Sequence, residues 1–381
     1  MNMAKRSRNV ARQSKPREPQ QDGVEQAVEW HDRALSLMES GDYEGAIALC
    51  ERALHIVTAK LGPDDPDAAN ISGTLGEIYE ALARYSKAEE CYRRAATIVA
   101  SLPEGGDIDV LQVQSLRRLA GICRVQGRYA AAEPLFRQAL AIAERRLGPD
   151  HPEVASALNG LGVLYKLLAR YDEGETLYRR ALVIIEKHHG PKHPEVATIY
   201  HNLGGLEHAR GRYALGEGPA RRSVEIREGA LGPNHPDVAA DAAALASILD
   251  AQGKYDEAER LYRRALKIFE DAFGPEHYEI AVNLSNLAGL LVARGEVTEA
   301  EHLYIRGLRI RESILGDGHP EVALVLNNLA MLHESRGRRE EARMSVERAL
   351  SIFERTLGPT HPKTKACRKN YARLRRNRQP S

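Results

Sequence analysis

Leu147–Ala155 reads LGPDHPEVA, and closely similar phrases recur at regular intervals along the rest of the chain. Successive copies are 42 residues apart, with their glycines at Gly148, Gly190, Gly232, Gly274, Gly316 and Gly358. An earlier copy starts at Gly62, 86 residues before Gly148, which is two periods plus two residues. A fixed period of roughly 20 to 50 residues is typical of proteins built from stacked supersecondary units.

A second landmark, Gly-x-Tyr, gives the same period independently. It occurs at Gly41, Gly127, Gly211 and Gly253, with Ala83 and Ala169 in the glycine slot. Its spacing is 42 residues except for 44 residues between Ala83 and Gly127, so the two extra residues fall near Leu102–Gly106. The repeat is therefore continuous through the irregular segment.

Each unit has the pattern of two helices. Between the landmarks, apolar residues recur at three- and four-residue spacing, first at Val154, Leu158, Leu161 and Tyr165, and then at Tyr171, Tyr178, Ala181 and Ile184. The proline after each histidine suits the first turn of a helix, where its missing N–H costs nothing, and the acidic residue after it favours the helix dipole. The recurrent phrase thus ends one helix and starts the next.

Small residues recur where helices are expected to approach one another. They occupy Gly76, Ala120, Gly162, Gly204, Ala246, Ala288 and Ala330 on the first helix, and Ala53, Ala95, Ala139, Ala181, Ala265 and Ala349 on the second. One pair of helices cannot bury two apolar stripes alone, so each unit is expected to stack on the next.

The Leu-Gly-x-x-Tyr and LYRRAL phrases resemble the tetratricopeptide repeat, and the 42-residue period resembles its kinesin-light-chain variety, with the Arg- and Ala-rich composition favouring bacterial members. The predicted fold class is all-α, a right-handed superhelical α-solenoid of about eight antiparallel helix pairs plus a C-terminal capping helix. The predicted organisation is a disordered basic N-terminal tail at 1–23, tandem repeats at 24–362, the capping helix at 363–376 and a disordered tail at 377–381.

Charge is unevenly distributed along the 381 residues. The formal net charge is +1, but residues 1–19 carry +5 and residues 363–381 carry +8, which leaves the middle at −12. The tails are expected either to make weak contacts with nucleic acid or another acidic surface, or only to keep the protein in solution. The chain contains no apolar run of membrane-spanning length, and its four cysteines are widely spaced; both features predict a cytoplasmic protein with free thiols.

The resemblance implies a concave groove, lined by the first helices, that binds peptides. In this repeat class, the two residues before the leucine of the first helix face the groove, and asparagines there can pair with a peptide backbone. The candidate groove residues are Arg117, Arg118, Asn159, Lys166, His201, Asn202, Ser285, Asn286, Asn327, Asn328 and Asn370. Arg117, Arg118 and Lys166 add charge for an acidic or C-terminal carboxylate group. The alternative interpretation is a polar wall with no ligand.

The expected function is a scaffold or adaptor that binds an extended peptide or a partner protein. The alternative is a ligand-sensing repeat protein whose superhelix changes shape when a small peptide or metabolite binds. No catalytic motif is present, so neither an enzyme nor a cofactor is expected. The oligomeric state stays open.

Two recurrent groups invite other interpretations. The repeated histidines, one in each unit, are too far apart to share a metal ion and are expected to cap helices or pack loops, because Asp65 replaces histidine in the first copy. The Arg-Arg pairs follow a glutamate by four residues, which predicts surface ion pairs and not a nucleic-acid stripe.

One second helix departs from the pattern. Gly216, Gly218 and Pro219 stand where neighbouring units have helix-forming residues. Because glycine and proline disfavour helix interiors, this helix is expected to be kinked or frayed and to act as a hinge.

Overall fold

The computed structural model describes residues 21–376, which form seventeen α-helices and no strand. The helices, numbered α1 to α17 in chain order, are Gln21–Glu39, Tyr43–Leu61, Pro66–Ala81, Tyr85–Ser101, Asp107–Val125, Tyr129–Ile142, Pro152–Leu167, Tyr171–His189, Pro194–Ala209, Tyr213–Leu231, Pro236–Ala251, Tyr255–Phe273, Tyr278–Arg294, Val297–Leu315, Pro320–Ser335, Arg339–Leu357 and Pro362–Arg376. A π-helical turn, Ala143–Leu147, extends α6. The predicted all-α fold of eight helix pairs followed by one more helix is confirmed for these residues.

The predicted tails lie largely outside the described residues. Residues 1–20 and 377–381 are not described, and α1 begins at Gln21, whereas the sequence places the start of the array at residue 24. The last helix begins at Pro362, one residue before its predicted start.

The chain divides into two compact units, residues 1–167 and 168–381. In the first unit, one continuous core includes Ala53, Ile78, Tyr92 and Ala95. In the second, the core is built from the same repeat positions, such as Ala246, Tyr262 and Leu287. The tyrosine at this repeat position of α4, α8, α12 and α14 is thus a principal core residue, while the alanines let the helices approach.

The recurrent histidines cap the first helices, as predicted. Nδ1 of His235 accepts a hydrogen bond from the backbone N–H of Asp237 at 3.1 Å. The same bond is made by His151, His193, His277, His319 and His361. In the first copy, Asp65 Oδ1 accepts from the Asp67 N–H at 2.9 Å. The histidine must be unprotonated at Nδ1 to do this, so its role is to satisfy a backbone donor at the helix start.

The predicted ion pairs of the second helices are present. Arg93, Arg179, Arg221 and Arg263 each bind the glutamate four residues earlier. Each of these glutamates also binds a basic residue of the following repeat: Glu89 binds Arg128, Glu175 binds Arg210, Glu217 binds Lys254 and Glu259 binds Arg294. The same carboxylate therefore stabilises its own helix and fixes the register between successive repeats.

The glycine-rich helix is not broken. Helix α10 runs continuously from Tyr213 to Leu231 with Pro219 inside it. A Cβ at Gly216 would lie 3.0 Å from the carbonyl oxygen of Gly204 on α9, and a Cβ at Gly204 would lie 3.2 Å from the carbonyl oxygen of Gly216. The two glycines face each other where α9 and α10 approach most closely, so Gly216 has a packing role that the sequence pattern did not reveal.

Candidate peptide-binding surface

Apart from Lys166, the predicted groove residues occupy a repeated polar window on the first helices. In α13, the buried Leu284 and Leu287 flank Ser285, which is half-buried, and Asn286, which is exposed. In α15, Leu326 and Leu329 flank Asn327 and Asn328 in the same way. The apolar residues fix the helix in the core, so the two residues between them face outward. We call the surface formed by these windows within each unit the first-helix wall.

Polar contacts join consecutive first helices along this wall. In the first unit, His31 Nε2 and Thr74 Oγ1 are 2.8 Å apart, and Gln114 Nε2 donates to Glu153 Oε1 at 2.7 Å. In the second unit, Tyr278 OH donates to Glu321 Oε1 at 2.7 Å. Each contact spans about one repeat, so the wall is a row of helices held in register by polar side chains.

The basic candidates of the first unit differ in their environment. Arg118 forms an ion pair with Glu77. Arg117 lies on the same helix, and its Nε is shielded from solvent without a hydrogen-bond partner among the described residues. Burial lowers the pKa of Arg117, while the carboxylate of Glu153 acts in the opposite direction. Arg117 therefore has a buried N–H donor that no described residue accepts.

Lys166, near the end of α7, is the third basic candidate. Burial lowers the pKa of its ammonium group, and the positive charge of Arg124 lowers it further. The first unit thus brings the positive charges of Lys166 and Arg124 close enough to repel each other.

His201 belongs to a buried charged network in the second unit. Its Nδ1 lies 2.8 Å from Oδ1 of Asp241, and Oδ2 of the same carboxylate accepts from Arg227 Nε at 2.7 Å. Asp241 is 2% exposed. Because a carboxylate only accepts, Nδ1 of His201 carries the proton, which leaves Nε2 as an acceptor when the ring is neutral.

Ser285 is tied to a second buried arginine. Arg311, 5% exposed, donates to Ser285 Oγ at 2.9 Å and to the Ala281 carbonyl oxygen at 2.8 Å. Its Nε lies 3.4 Å from a carboxylate oxygen of Glu321. Ser285 therefore accepts a hydrogen bond from a buried arginine and also belongs to the first-helix wall.

The asparagine candidates have different surroundings. Asn370 Nδ2 donates to Asn327 Oδ1 at 3.0 Å, so these two satisfy one another in part. Asn328 makes a side-chain hydrogen bond with the Tyr304 hydroxyl. The side chain of Asn286 is exposed and makes no hydrogen bond to any residue in the range 21–376. Asn159 and Asn202 are half-buried in the corresponding windows of α7 and α9.

Sequence reasoning missed Arg227, Asp241 and Arg311. The signal was present, because Arg227 and Arg311 are 84 residues apart at a repeat position that holds apolar residues in other units, namely Ile185, Phe269 and Phe353. A charged residue at a buried repeat position requires a partner. The partner itself, Asp241, could be recognised only in three dimensions.

Other chemically active groups are accounted for by packing or ion pairing. Glu301, His333 and Glu341 bring potential metal-ligand atoms within 4.8 Å of one another. The Glu301 carboxylate also binds Arg336 and Arg338, which a metal ion would have to displace.

The four cysteines are free thiols, and burial raises the pKa of Cys50 to about 12. Among residues 21–376, no helix is both long and apolar enough to cross a membrane.

Comparison with protein families identifies the repeat. A model described as tetratricopeptide repeat matches residues 25–101, 111–173, 165–228, 196–271, 279–353 and 321–379, and a second model with the same description matches residues 243–306. The chain belongs to the tetratricopeptide repeat family. The predicted resemblance is thereby confirmed, and repeats of this family generally mediate protein–protein interactions. No curated protein matches the chain significantly.

Solved structures include related tetratricopeptide repeat proteins. BtubC (BKLC) from P. vanneervenii is 22% identical, over 68% of this chain and 94% of that chain, with a TM-score of 0.47. A putative kinesin light chain from Podosopora anserina is 25% identical, over 54% of this chain and 98% of that chain, with a TM-score of 0.47. The STAND protein PH0952 from Pyrococcus horikoshii, which has a tetratricopeptide repeat sensor, is 14% identical, over 98% of this chain and 51% of that chain, with a TM-score of 0.64. The last similarity shows a shared fold.

Proposed function

We propose that this protein is a non-enzymatic cytoplasmic adaptor whose first-helix wall binds an extended segment of a partner protein. The observation that carries the proposal is the repeated window before a buried leucine, which presents polar side chains at equivalent positions of α5, α7, α9, α13 and α15. In α11 the window holds Ala243 and Ala244 instead. An extended peptide exposes an N–H and a carbonyl group at every residue, and amide side chains can pair with both. The reducing compartment is supported by four cysteines that remain free thiols.

Each unit has its own first-helix wall, and the two walls differ chemically. The second unit offers amides, of which Asn286 is exposed and without an internal hydrogen bond in the described range. The first unit offers Arg117, Arg118 and Lys166, of which Arg118 is already paired with Glu77. We therefore expect the amide windows to accept a peptide backbone with little side-chain preference, and Arg117 with Lys166 to prefer a carboxylate.

The test starts from peptides selected from a display library by the full chain and measures their affinity by fluorescence anisotropy. Loss of one neutral hydrogen bond, worth about 0.5–1.5 kcal/mol net, makes Asn286→Ala about two- to twelvefold weaker. Asn286→Trp blocks the window and weakens binding further. The matched controls are Asn234→Ala and Asn234→Trp, because Asn234 is exposed on the turn between α10 and α11. Equal affinities for the Asn286 and Asn234 variants would rule out this wall as the binding surface.

The charge preference has its own test. Arg117→Gln should weaken a peptide that carries an acidic group more than the same peptide with that group amidated. Since Arg117 is largely buried, circular dichroism must first show that the variant keeps its helix content. An equal loss for both peptides would mean that Arg117 only supports the fold.

The second candidate function, ligand sensing, is favoured by one observation. The similar structure that spans 98% of this chain is described as having a tetratricopeptide repeat sensor. A sensor should change its internal protection from hydrogen exchange when a small ligand binds, at positions away from the ligand. An adaptor should gain protection only along the wall that the peptide covers.

A further inference from the structure

Helix α17 has a charge distribution unlike that of any other described helix. Its fifteen residues contain seven Lys or Arg and no acidic residue. Arg368 pairs with Glu354 on α16, and Arg373 pairs with Glu334 on α15. Lys363, Lys365, Lys369 and Arg375 are exposed, and none of them has an ion-pair partner among residues 21–376. The second helices, by contrast, pair their repeated arginines with glutamates.

Packing accounts for only one side of this helix. Thr364 is fully buried and Cys367 is 1% exposed, while Tyr371 and Leu374 pack on the core formed with α16. On another side, Asn370 contacts Asn327 of α15. A terminal helix needs a polar outer face to stay in solution, but polar uncharged residues or charges of mixed sign would serve equally well.

The charge at the start of α17 is opposite in sign to the charge that stabilises the start of a helix. The residue after the first proline is acidic in the earlier helices that follow the recurrent phrase, at Asp67, Glu153, Glu195, Asp237 and Glu321. A negative charge there is stabilised by the helix dipole. In α17 this residue is Lys363, so a favourable charge is replaced by an unfavourable one. Folding does not explain that reversal, whereas attraction of an anionic partner does.

We propose that the exposed cations of α17, namely Lys363, Lys365, Lys369 and Arg375, bind the phosphate backbone of a nucleic acid. Lys365 and Lys369 lie one helical turn apart, about 6 Å along the axis, and so present successive charges to an extended polyanion. Lys369 lies next to Asn370, the candidate groove residue of α17, so this surface adjoins the last of the polar windows proposed to bind peptide.

The exposed face of α17 fits a phosphate backbone better than a membrane or a protein. Interfacial membrane helices insert an apolar face, but the apolar side of α17 is covered by α16, and the exposed apolar residue Ala366 is too small to insert. Protein interfaces have a desolvated apolar centre, which this face does not offer. Binding to a phosphate backbone needs only positive charge and releases counterions, without requiring a particular base sequence.

The test measures binding of fluorescein-labelled duplex DNA and duplex RNA to the full chain by anisotropy over a series of salt concentrations. In the α17 variant, Lys363, Lys365, Lys369 and Arg375 are all replaced by Gln. Since each phosphate contact contributes about 0.9 to the slope of log K against log salt, the slope should fall in magnitude by up to about 3.6. Affinity at low salt should fall at least tenfold.

Two control variants remove four positive charges each from other places. The first replaces the ion-paired Arg93, Arg179, Arg221 and Arg263 by Gln, and the second replaces Lys5, Arg6, Arg8 and Arg12 by Gln. Both should keep most of the affinity and of the salt slope. An α17 variant that binds as tightly as the parent, or a loss equal to that of either control, would overturn the proposal.

Competition experiments distinguish binding of nucleic acid from binding of other anionic partners. Vesicles with and without phosphatidylserine test for a membrane surface, and poly-glutamate tests for an acidic polypeptide. The proposal expects neither to displace the duplex at equal charge concentration. Displacement that depends on the four α17 cations would show that the surface is not selective for nucleic acid, and would overturn the assignment. Circular dichroism of each variant checks that the helices remain folded.

Discussion

The contact between α9 and α10 predicts opposite effects for the same substitution at two positions of one helix. Gly216 faces the α9 backbone, whereas a Cβ at Gly218 would meet no atom within 4 Å. Replacing a helical glycine by alanine is worth about 1 kcal/mol when the new methyl group has room. Gly218→Ala should therefore stabilise the protein by about that amount.

At Gly216 the same gain is opposed by steric overlap. The new Cβ would lie 3.0 Å from the Gly204 carbonyl oxygen and 3.3 Å from Glu207 Cβ, where ordinary contacts are longer. The α9 backbone cannot yield easily, because Leu203 and Leu206 hold it in the core. Overpacking typically costs about 1–3 kcal/mol, so Gly216→Ala should be neutral or destabilising by up to about 2 kcal/mol.

The assay is urea unfolding followed by far-ultraviolet circular dichroism, with hydrogen exchange over residues 213–231 as a local measure, because repeat proteins can unfold in stages. The decisive quantity is the difference between the two variants, expected to be about 1–3 kcal/mol, since helix propensity contributes equally to both. Gly204→Ala should resemble Gly216→Ala. If Gly216→Ala stabilises the protein as much as Gly218→Ala, then α9 and α10 are not in close contact at Gly216. If residues 214–226 exchange much faster than residues 256–268, the hinge predicted from the sequence is supported after all.

Three further predictions concern caps, charge and backbone strain. His235→Ala should destabilise by about 1 kcal/mol in urea unfolding because a backbone donor loses its cap, whereas His235→Asp should be nearly neutral, as Asp65 shows; equal losses would contradict the capping role. Hydrogen bonds from Lys254 and other donors lower the pKa of Glu217 from 4.5 to about 2. The stability that the Glu217 carboxylate contributes is therefore complete above pH 4.5 and is lost as pH falls towards 2. Glu217→Gln should reduce this loss of stability in unfolding titrations, and an unchanged pH profile would refute the assignment. Ala83 has a φ of 54°, so Ala83→Gly should stabilise by about 1 kcal/mol in thermal unfolding, while Ala81→Gly at the end of α3 should not.

The regular 42-residue repeat made the fold predictable from the sequence. Helix starts were predictable because the capping histidine, the proline and the acidic residue act locally, over two or three residues. The ion pairs within second helices were predictable for the same reason, since four residues make one turn. The second contact of Glu217, with Lys254 in the next repeat, involves residues 37 apart and was not predicted.

The candidate site was located more easily than it was understood. The window before each leucine follows from the repeat register, and the structure places Asn286 and Asn328 in such windows. Whether a polar residue there remains available to a ligand depends on the neighbouring helix. Asn327 is partly used by Asn370, and His201 is bound to Asp241, although nothing in the local sequence of either distinguishes it from Asn286.

Local order along the chain determined the period, the helix pairs, the caps and the small residues at helix contacts, because each depends on residues within one or two turns. The tertiary structure alone decided which helices approach most closely and which charges find partners. Gly216 illustrates the difference: its sequence context favours a kinked or frayed helix, but its contact with Gly204 makes it a packing residue. Contacts between residues a repeat apart depend on the distance between packed helices, and helical periodicity does not encode that distance.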